Sequence, residues 1–450
     1  MRYARFAMMM WVAALVIAIF TSSAHAGLED ILYEKGQITK EEWLKAKTHQ
    51  EKTVGVLEEW REKIAKLPIL SDRFNIGMNA LQMQYLQNKA ATSPGNSDNR
   101  LFIRRAEPLF WGKVNDYMPR WHLLVDFAAL GNLTANTTTA TNNRILLEAY
   151  GDIVPALSAQ PYLDRIRFGQ HRIPIGIEGS TSSGLIDFIN RSYIAQVPNT
   201  AGAVTGAAAP GTLGATGTMD FIQERDYYVD FMSKPFEQLE LDLGLMNGNN
   251  IDGVALDNNS SKDFFGRARV KPRKDMFFSM STVQGKSTGV NSRNGGRGKG
   301  NYDRYIADFQ IKPETIPGLW FQGEYAWGHD APPNISTTQD QIGATARGEF
   351  RTNWYIYGKY LFQSGFLENL ELLARHEQYD PSRNVSQDKL FRTTFGINYY
   401  FANLPPKVQA KLQLNYELRR HAGNGPGTVV TGLDEFGRDA LLLQLQVRWF

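Results

Sequence analysis

Two-residue alternation runs through this chain for longer than a strand of a water-soluble domain needs. In 408–419, Val408, Ala410, Leu412, Leu414, Tyr416 and Leu418 fall on one face, and Gln409, Lys411, Gln413, Asn415, Glu417 and Arg419 on the other. In 391–401, Phe391, Phe395, Ile397, Tyr399 and Phe401 oppose Arg392, Thr394 and Asn398. In 237–245, Leu239, Leu241, Leu243 and Leu245 oppose Gln238, Glu240 and Asp242, and in 119–127 Trp121, Leu123 and Val125 oppose Arg120, His122 and Asp126. Successive side chains of a strand point to opposite faces, so each segment has one apolar and one polar side. Ordinary strands run about five or six residues. Longer ones with a continuous apolar side suit a tilted strand crossing a bilayer, with lipid on one face and water on the other. Leu412 then faces lipid, and Glu417 faces a lumen where Arg should be tolerated.

Sixteen such segments can be marked between residues 72 and 450, an even number, as a single-chain bacterial barrel requires. The gaps alternate in length. Those at 113–116, 233–236, 271–274, 364–366 and 403–406 are short; those at 130–143, 174–222, 247–261, 285–301, 380–388 and 420–437 are long and rich in Gly, Asn, Ser or Thr. The fold expected is all-β: a 16-stranded antiparallel transmembrane β-barrel over 71–450, with 341–363 read as a loop and one strand. A large soluble β-sandwich or propeller is the competitor, and no blade-like repeat supports it. A helical membrane bundle is excluded, because mean hydropathy is −0.36 and such a bundle needs repeated uncharged runs of about 18 residues. In the last strand Leu441, Leu443, Leu445 and Val447 are in phase with Trp449, not with Phe450.

The first 26 residues read as a cleaved signal peptide: Arg2 and Arg5, an uncharged run from Phe6 to Phe20, then Ala24-His25-Ala26. Residues 27–70 form a periplasmic helical segment, where Thr39 and Glu42 make a capping box. Trp43, Gln50, Leu57 and Ile64, seven apart with Val54 between them, sketch either a coiled-coil seam or one amphipathic helix lying against something else. Loss of Arg2 and Arg5 from 49 basic against 46 acidic side chains leaves a balance of +1, which argues against a nucleic-acid surface. With no Cys, thiol chemistry, iron–sulfur clusters and disulfides are out. No HExxH, GxSxG or phosphate loop occurs, and His329-Asp330 and His376-Glu377 are neighbours that point to opposite faces of a strand. No enzyme, metal or cofactor is expected.

At this point the residues resemble a family. The segment from Arg165 to Gly176 (RIRFGQHRIPIG), followed by Ser183 and by DFINR at 187–191, is similar to the phosphate-selective porin O and P family. FIRRA at 102–106, LWFQGEY at 319–325, YGKY at 357–360, ELLAR at 371–375 and GINYY at 396–400 add to it in order and spacing. The resemblance covers roughly 72–450. It implies an outer-membrane homotrimer of 16-stranded pores, each narrowed by an inward third loop.

Anion selection needs cations on the lumen face. The candidates are Arg120, Arg165, Arg167, His171, Arg267, Arg269, Lys271, Arg304, Lys312 and Lys359. Asp126, Glu240, Asp242, Asp308, Glu324 and Glu377 face the same way and can neutralise them. The third loop departs from a basic constriction: in 174–222 the only basic side chain is Arg191, and 192–219 carry no charge. Lys286, Arg293, Arg297 and Lys299 crowd the loop 285–301, where they could concentrate anions or bind lipopolysaccharide phosphates. The function expected is an outer-membrane porin passing small hydrophilic solutes, anions such as phosphate among them, with membrane lipid and lipopolysaccharide as neighbours. The alternative is a barrel sheathing a partner protein such as an electron-transfer cytochrome.

Overall fold

The computed structural model describes residues 35, 39–42 and 44, and then 72–89, 97–128, 145–155, 162–195, 225–248, 261–290, 297–329, 350–380, 383, 389–404, 408–422 and 439–449. The chain divides into two compact units, Met1–Asp72 and Arg73–Phe450. In the first, the capping box forms: the Thr39 backbone N–H donates to Glu42 Oε2 (2.9 Å) and the Glu42 N–H donates to Thr39 Oγ1 (3.3 Å). The signal segment 1–26 and Trp43, Gln50, Val54, Leu57 and Ile64 lie outside the described residues.

The second unit is a closed antiparallel barrel whose sixteen strands each pair with their chain neighbours. They are β1 (Asn75–Lys89), β2 (Ser97–Gly112), β3 (Arg120–Val125), β4 (Leu146–Ile153), β5 (Arg165–Arg172), β6 (Arg225–Phe236), β7 (Leu239–Met246) and β8 (Asp263–Arg273). There follow β9 (Met276–Val290), β10 (Arg297–Ile311), β11 (Leu319–His329), β12 (Phe350–Leu361), β13 (Leu370–Asp380), β14 (Leu390–Leu404), β15 (Val408–His421) and β16 (Ala440–Trp449). β1 meets β16 from Met78 opposite Trp449 to Asn88 opposite Ala440. That seam leaves no open edge, so every strand can satisfy its backbone groups without water.

Side chains sort by phase. In β16, Ala440, Leu442, Gln444, Gln446 and Arg448 are buried inside, while Leu441, Leu443, Leu445, Val447 and Trp449 alternate with them on the outside. Leu243, Leu245, Phe264, Phe278, Met280, Phe321, Ile356, Leu372, Phe395 and Ile397 are all exposed on that exterior. Aromatic rings gather toward its two rims: Tyr305, Trp327 and Tyr325 stack near the long connections, Tyr399 and Phe401 near the short ones. An apolar wall with aromatic borders around a charged interior is stable in hydrocarbon, not in water.

Some boundaries differ from the sequence reading. Residues 285–290 and 297–301, expected as loop, continue the ladder of β9 and β10 out to Val290 opposite Arg297. β1 and β2 likewise pair out to Lys89 opposite Ser97. Backbone pairing beyond the bilayer needs no apolar face, so Gly- and Ser-rich hairpin arms hide from an alternation test.

Candidate functional site

The segment after β5 turns into the barrel. Among residues 173–195, Ile173, Ile175, Phe188, Tyr193, Ile194 and Ala195 are buried, and their neighbours are inward side chains of the wall. Phe265, Tyr302, Ile306, Tyr355, Leu373 and Leu390 belong to one apolar cluster with all of these but Ala195. Each fully buried side chain of this kind contributes about 1.5–3 kcal/mol. The interior is thus partly an apolar core that fixes the loop, which a uniformly polar lumen could not do.

Polar anchors set its exact position. Arg375 Nη1 donates to Glu178 (2.8 Å), and Arg392 Nε donates to Glu377 (2.7 Å), which also accepts the Tyr193 N–H (2.6 Å). Glu417 accepts from Asn190 (3.0 Å) and Arg419 (2.6 Å), and the Ile189 N–H donates to Asn415 Oδ1 (2.7 Å). Lys359 and the Tyr357 hydroxyl both donate to the Asp187 carboxylate, each at 2.7 Å. Burial opposes ionisation of Asp187, but the ammonium groups of Lys359 and Lys411 hold its carboxyl below the usual range. Gly176 sits at φ 63°, where a side chain is disfavoured. At Gly184 a Cβ would lie 2.0 Å from the Asn79 carbonyl oxygen, so the loop meets β1 there only as glycine.

Contacts with the loop come from β1, β2 and β8–β16, and from Arg172 of β5, which donates to the Gly179 carbonyl oxygen and to Ser183 Oγ. The wall from β3 to β7 carries its own charges. Arg165 and Arg167 both bind Asp152: Arg165 Nη1 at 3.1 Å, Arg167 Nε at 2.7 Å and Nη2 at 3.0 Å. Arg167 also lies over the Tyr150 ring (4.2 Å). His171 stands beside Tyr150 and Glu148, and Glu148 gathers His122 (3.2 Å), His171 (3.5 Å), Arg172 (3.3 Å) and Arg225 (3.4 Å). Arg269 (3.3 Å) and Lys271 (2.6 Å) pair with Glu240.

The remaining candidates lie elsewhere. Arg267 donates to Asp308 and to the Gly176 carbonyl oxygen (2.8 Å), so it braces the loop. Arg304 is buried over the Tyr302 ring. Lys312 and Lys359 approach the Trp320 ring at 3.7 and 4.2 Å. Arg120 is exposed and makes no ion pair among the described residues. Arg191, the lone cation of the loop, is 1% exposed, with its guanidinium turned onto the Glu178 and Thr181 carbonyl oxygens.

One expectation is overturned. Glu417 does face inward, but it is 0% exposed between Arg392 and Arg419, so Arg there would bring three guanidinium groups together. Sequence reasoning also passed over Glu148, Asp152, Glu178 and Asp230. The alternation of Glu148, Tyr150 and Asp152 in a short strand was the available signal.

No family model and no curated protein matches the sequence. Solved structures do. The anion-selective porin from Comamonas acidovorans aligns at a TM-score of 0.50 and 12% identity, covering 83% of this chain and 98% of that one. OmpF of Salmonella typhi in complex with daunomycin aligns at 0.48 and 11% identity, over 84% and 97%. The outer membrane channel DcaP of Acinetobacter baumannii aligns at 0.47 and 9% identity, over 84% and 97%. At such identities the likeness is one of fold: a 16-stranded antiparallel barrel, as in the porins.

Proposed function

We propose that the chain is an outer-membrane diffusion channel for small hydrophilic solutes, with a modest preference for anions and little discrimination between phosphate and chloride. The observation that carries this reading is the loop 173–195, folded inside a closed barrel that is apolar outside and charged within. Fixed charges facing a narrowed passage are what a selective pore uses. The candidate cations favour anions, yet most of them share their donors with Asp152, Glu240, Asp308, Asp187 and Glu371. A tight phosphate site would need several unshared donors converging on one point. The motifs that resemble the phosphate-selective porin O and P family support the porin reading; the pairing argues for a general anion path.

The rest of the assignment follows from sequence. Residues 1–26 direct export, 27–70 form a periplasmic segment, and 71–450 form the pore, assembled as a homotrimer by family resemblance. Lys286, Arg293, Arg297 and Lys299 are suited to lipopolysaccharide phosphates. The loop within the lumen occupies space that a sheathed cytochrome would need, which disfavours that alternative. Planar-bilayer conductance in a salt gradient, repeated with phosphate added, tests the reading. A reversal potential on the anion side is expected. One favouring cations refutes the preference, and submillimolar block of chloride current by phosphate refutes the lack of discrimination.

A further inference from the structure

Most of the candidate cations turn their donors onto the protein itself. Asp152 holds Arg165 and Arg167, Glu240 holds Arg269 and Lys271, and Asp308 holds Arg267, all within 3.3 Å. An anion arriving there must displace a carboxylate already in contact. Two cations are held differently. Arg120 and Lys312 are exposed and enter no ion pair among the described residues, and each stands instead over an aromatic ring.

Their places follow from the chain. Arg120 opens β3 directly after Pro119, and its guanidinium lies 5.6 Å from the centroid of Tyr150. Asp152 stands opposite, but Arg165 and Arg167 already occupy both of its carboxylate oxygens. Lys312 follows β10: its N–H donates to the Asp275 carbonyl oxygen at 2.7 Å, and Pro313, which has no N–H, ends the ladder. Its ammonium lies 3.7 Å from the centroid of Trp320, which packs against the apolar cluster inside the barrel. Lys359, on the other side of that indole at 4.2 Å in the register, holds Asp187 (2.7 Å) and Glu371 (3.2 Å). β3 and β10 are seven strands apart in a ring of sixteen, so the two cations stand on facing walls. An aromatic face attracts a cation through its quadrupole but carries no charge, so it fixes the cation without cancelling it. A carboxylate does both.

We propose that Arg120 and Lys312 are the contacts that give this pore its anion preference, each held toward the passage by an aromatic ring, Tyr150 and Trp320. The inference rests on the channel reading above and names the residues that select within it. Both cations keep N–H donors free for a passing anion, and a charge-assisted hydrogen bond there displaces only water. Tyr150 and Trp320 are positioning residues: they touch the cation, not the solute.

The test uses the full-length protein in planar bilayers and reads the chloride-to-potassium permeability ratio from the reversal potential in a potassium chloride gradient. Arg120→Gln and Lys312→Gln should each lower that ratio about threefold, the factor for a unit charge roughly 7 Å from the ion in about 0.1 M salt. The double variant should lower it roughly ninefold, since the two sites share no partner. Trp320→Leu removes no charge and should lower the ratio as well, while Trp320→Phe should keep it; a count of charges predicts neither difference. Asp303→Asn, on the outer face beside His329, should keep the wild-type ratio. Heat-modifiable gel mobility checks that each variant is folded, and the two exposed glutamine variants decide the matter if Trp320→Leu is not. Unchanged ratios in both single glutamine variants overturn the proposal while leaving the channel in place. An unchanged ratio in a folded Trp320→Leu overturns the positioning role of the ring. Absence of current in the wild type overturns the channel reading itself.

Discussion

Replacing Asp152 by Asn separates the two parts of the selectivity argument. The carboxylate is fully buried and takes three hydrogen bonds from Arg165 and Arg167. Asn keeps the shape and removes one negative charge, so the wall gains one net positive charge beside the passage. A unit charge about 5 Å from a permeating ion acts with roughly 0.8 kcal/mol in water. Salt at about 0.1 M, with a screening length near 10 Å, reduces this to roughly 0.5 kcal/mol. The anion gains that amount and the cation loses it, so the anion-to-cation permeability ratio should rise about fivefold. The folding cost should stay below the roughly 3–5 kcal/mol of breaking a fully buried pair, because Arg165 remains one-third exposed. The assay is the reversal potential in a planar bilayer under a salt gradient, with Asp303→Asn as the control. Arg165→Gln with Arg167→Gln should move it the opposite way, since Asp152 is then left unpaired. If Asp152→Asn folds and its reversal potential matches wild type, these arginines take no part in selection.

Three further outcomes are expected. Arg at Leu412, on the apolar exterior, should cost about 2–4 kcal/mol in barrel stability, read from urea unfolding in lipid vesicles; Glu417→Arg, although inward, should destabilise comparably. Gly184→Val should push the loop off β1, because its first added carbon already overlaps the Asn79 carbonyl oxygen; single-channel conductance should rise, and an unchanged value would mean the loop does not narrow the passage. Deleting 28–66 should weaken the proposed trimer and leave the barrel inserted, as judged by native gel mobility; an unchanged assembly would give that segment another role.

The barrel was legible because lipid enforces strict alternation: Leu412, Leu414 and Leu443 have no alternative to the outer face, so the phase of β15 and β16 follows from sequence. Strand ends were less legible. At Lys286 and Arg297 the hairpin stands clear of that constraint and looks like loop by composition. Least legible was the interior. Ile173, Ile175 and Ile194 pack on Phe265, Tyr302 and Ile306 from distant strands, and nothing local in the chain announces such a core. Glu417 shows the same limit. Its phase was readable, but its burial depends on the loop, whose Asn190 lies against it.

The same limit explains why counting lumen cations overstates selectivity. A row of unpaired guanidinium groups on adjacent strands, at cross-strand distances near 5 Å, would repel in a wall with hydrocarbon behind it. Interleaving Asp152 between Arg120 and Arg167 removes that repulsion at the level of folding. What reaches a permeating solute is then the remainder, such as Arg120, exposed at one end of the row with no acid partner among the described residues. Selectivity in such a barrel is set by the charges that folding leaves uncompensated, and the exposed Arg120 is one of them.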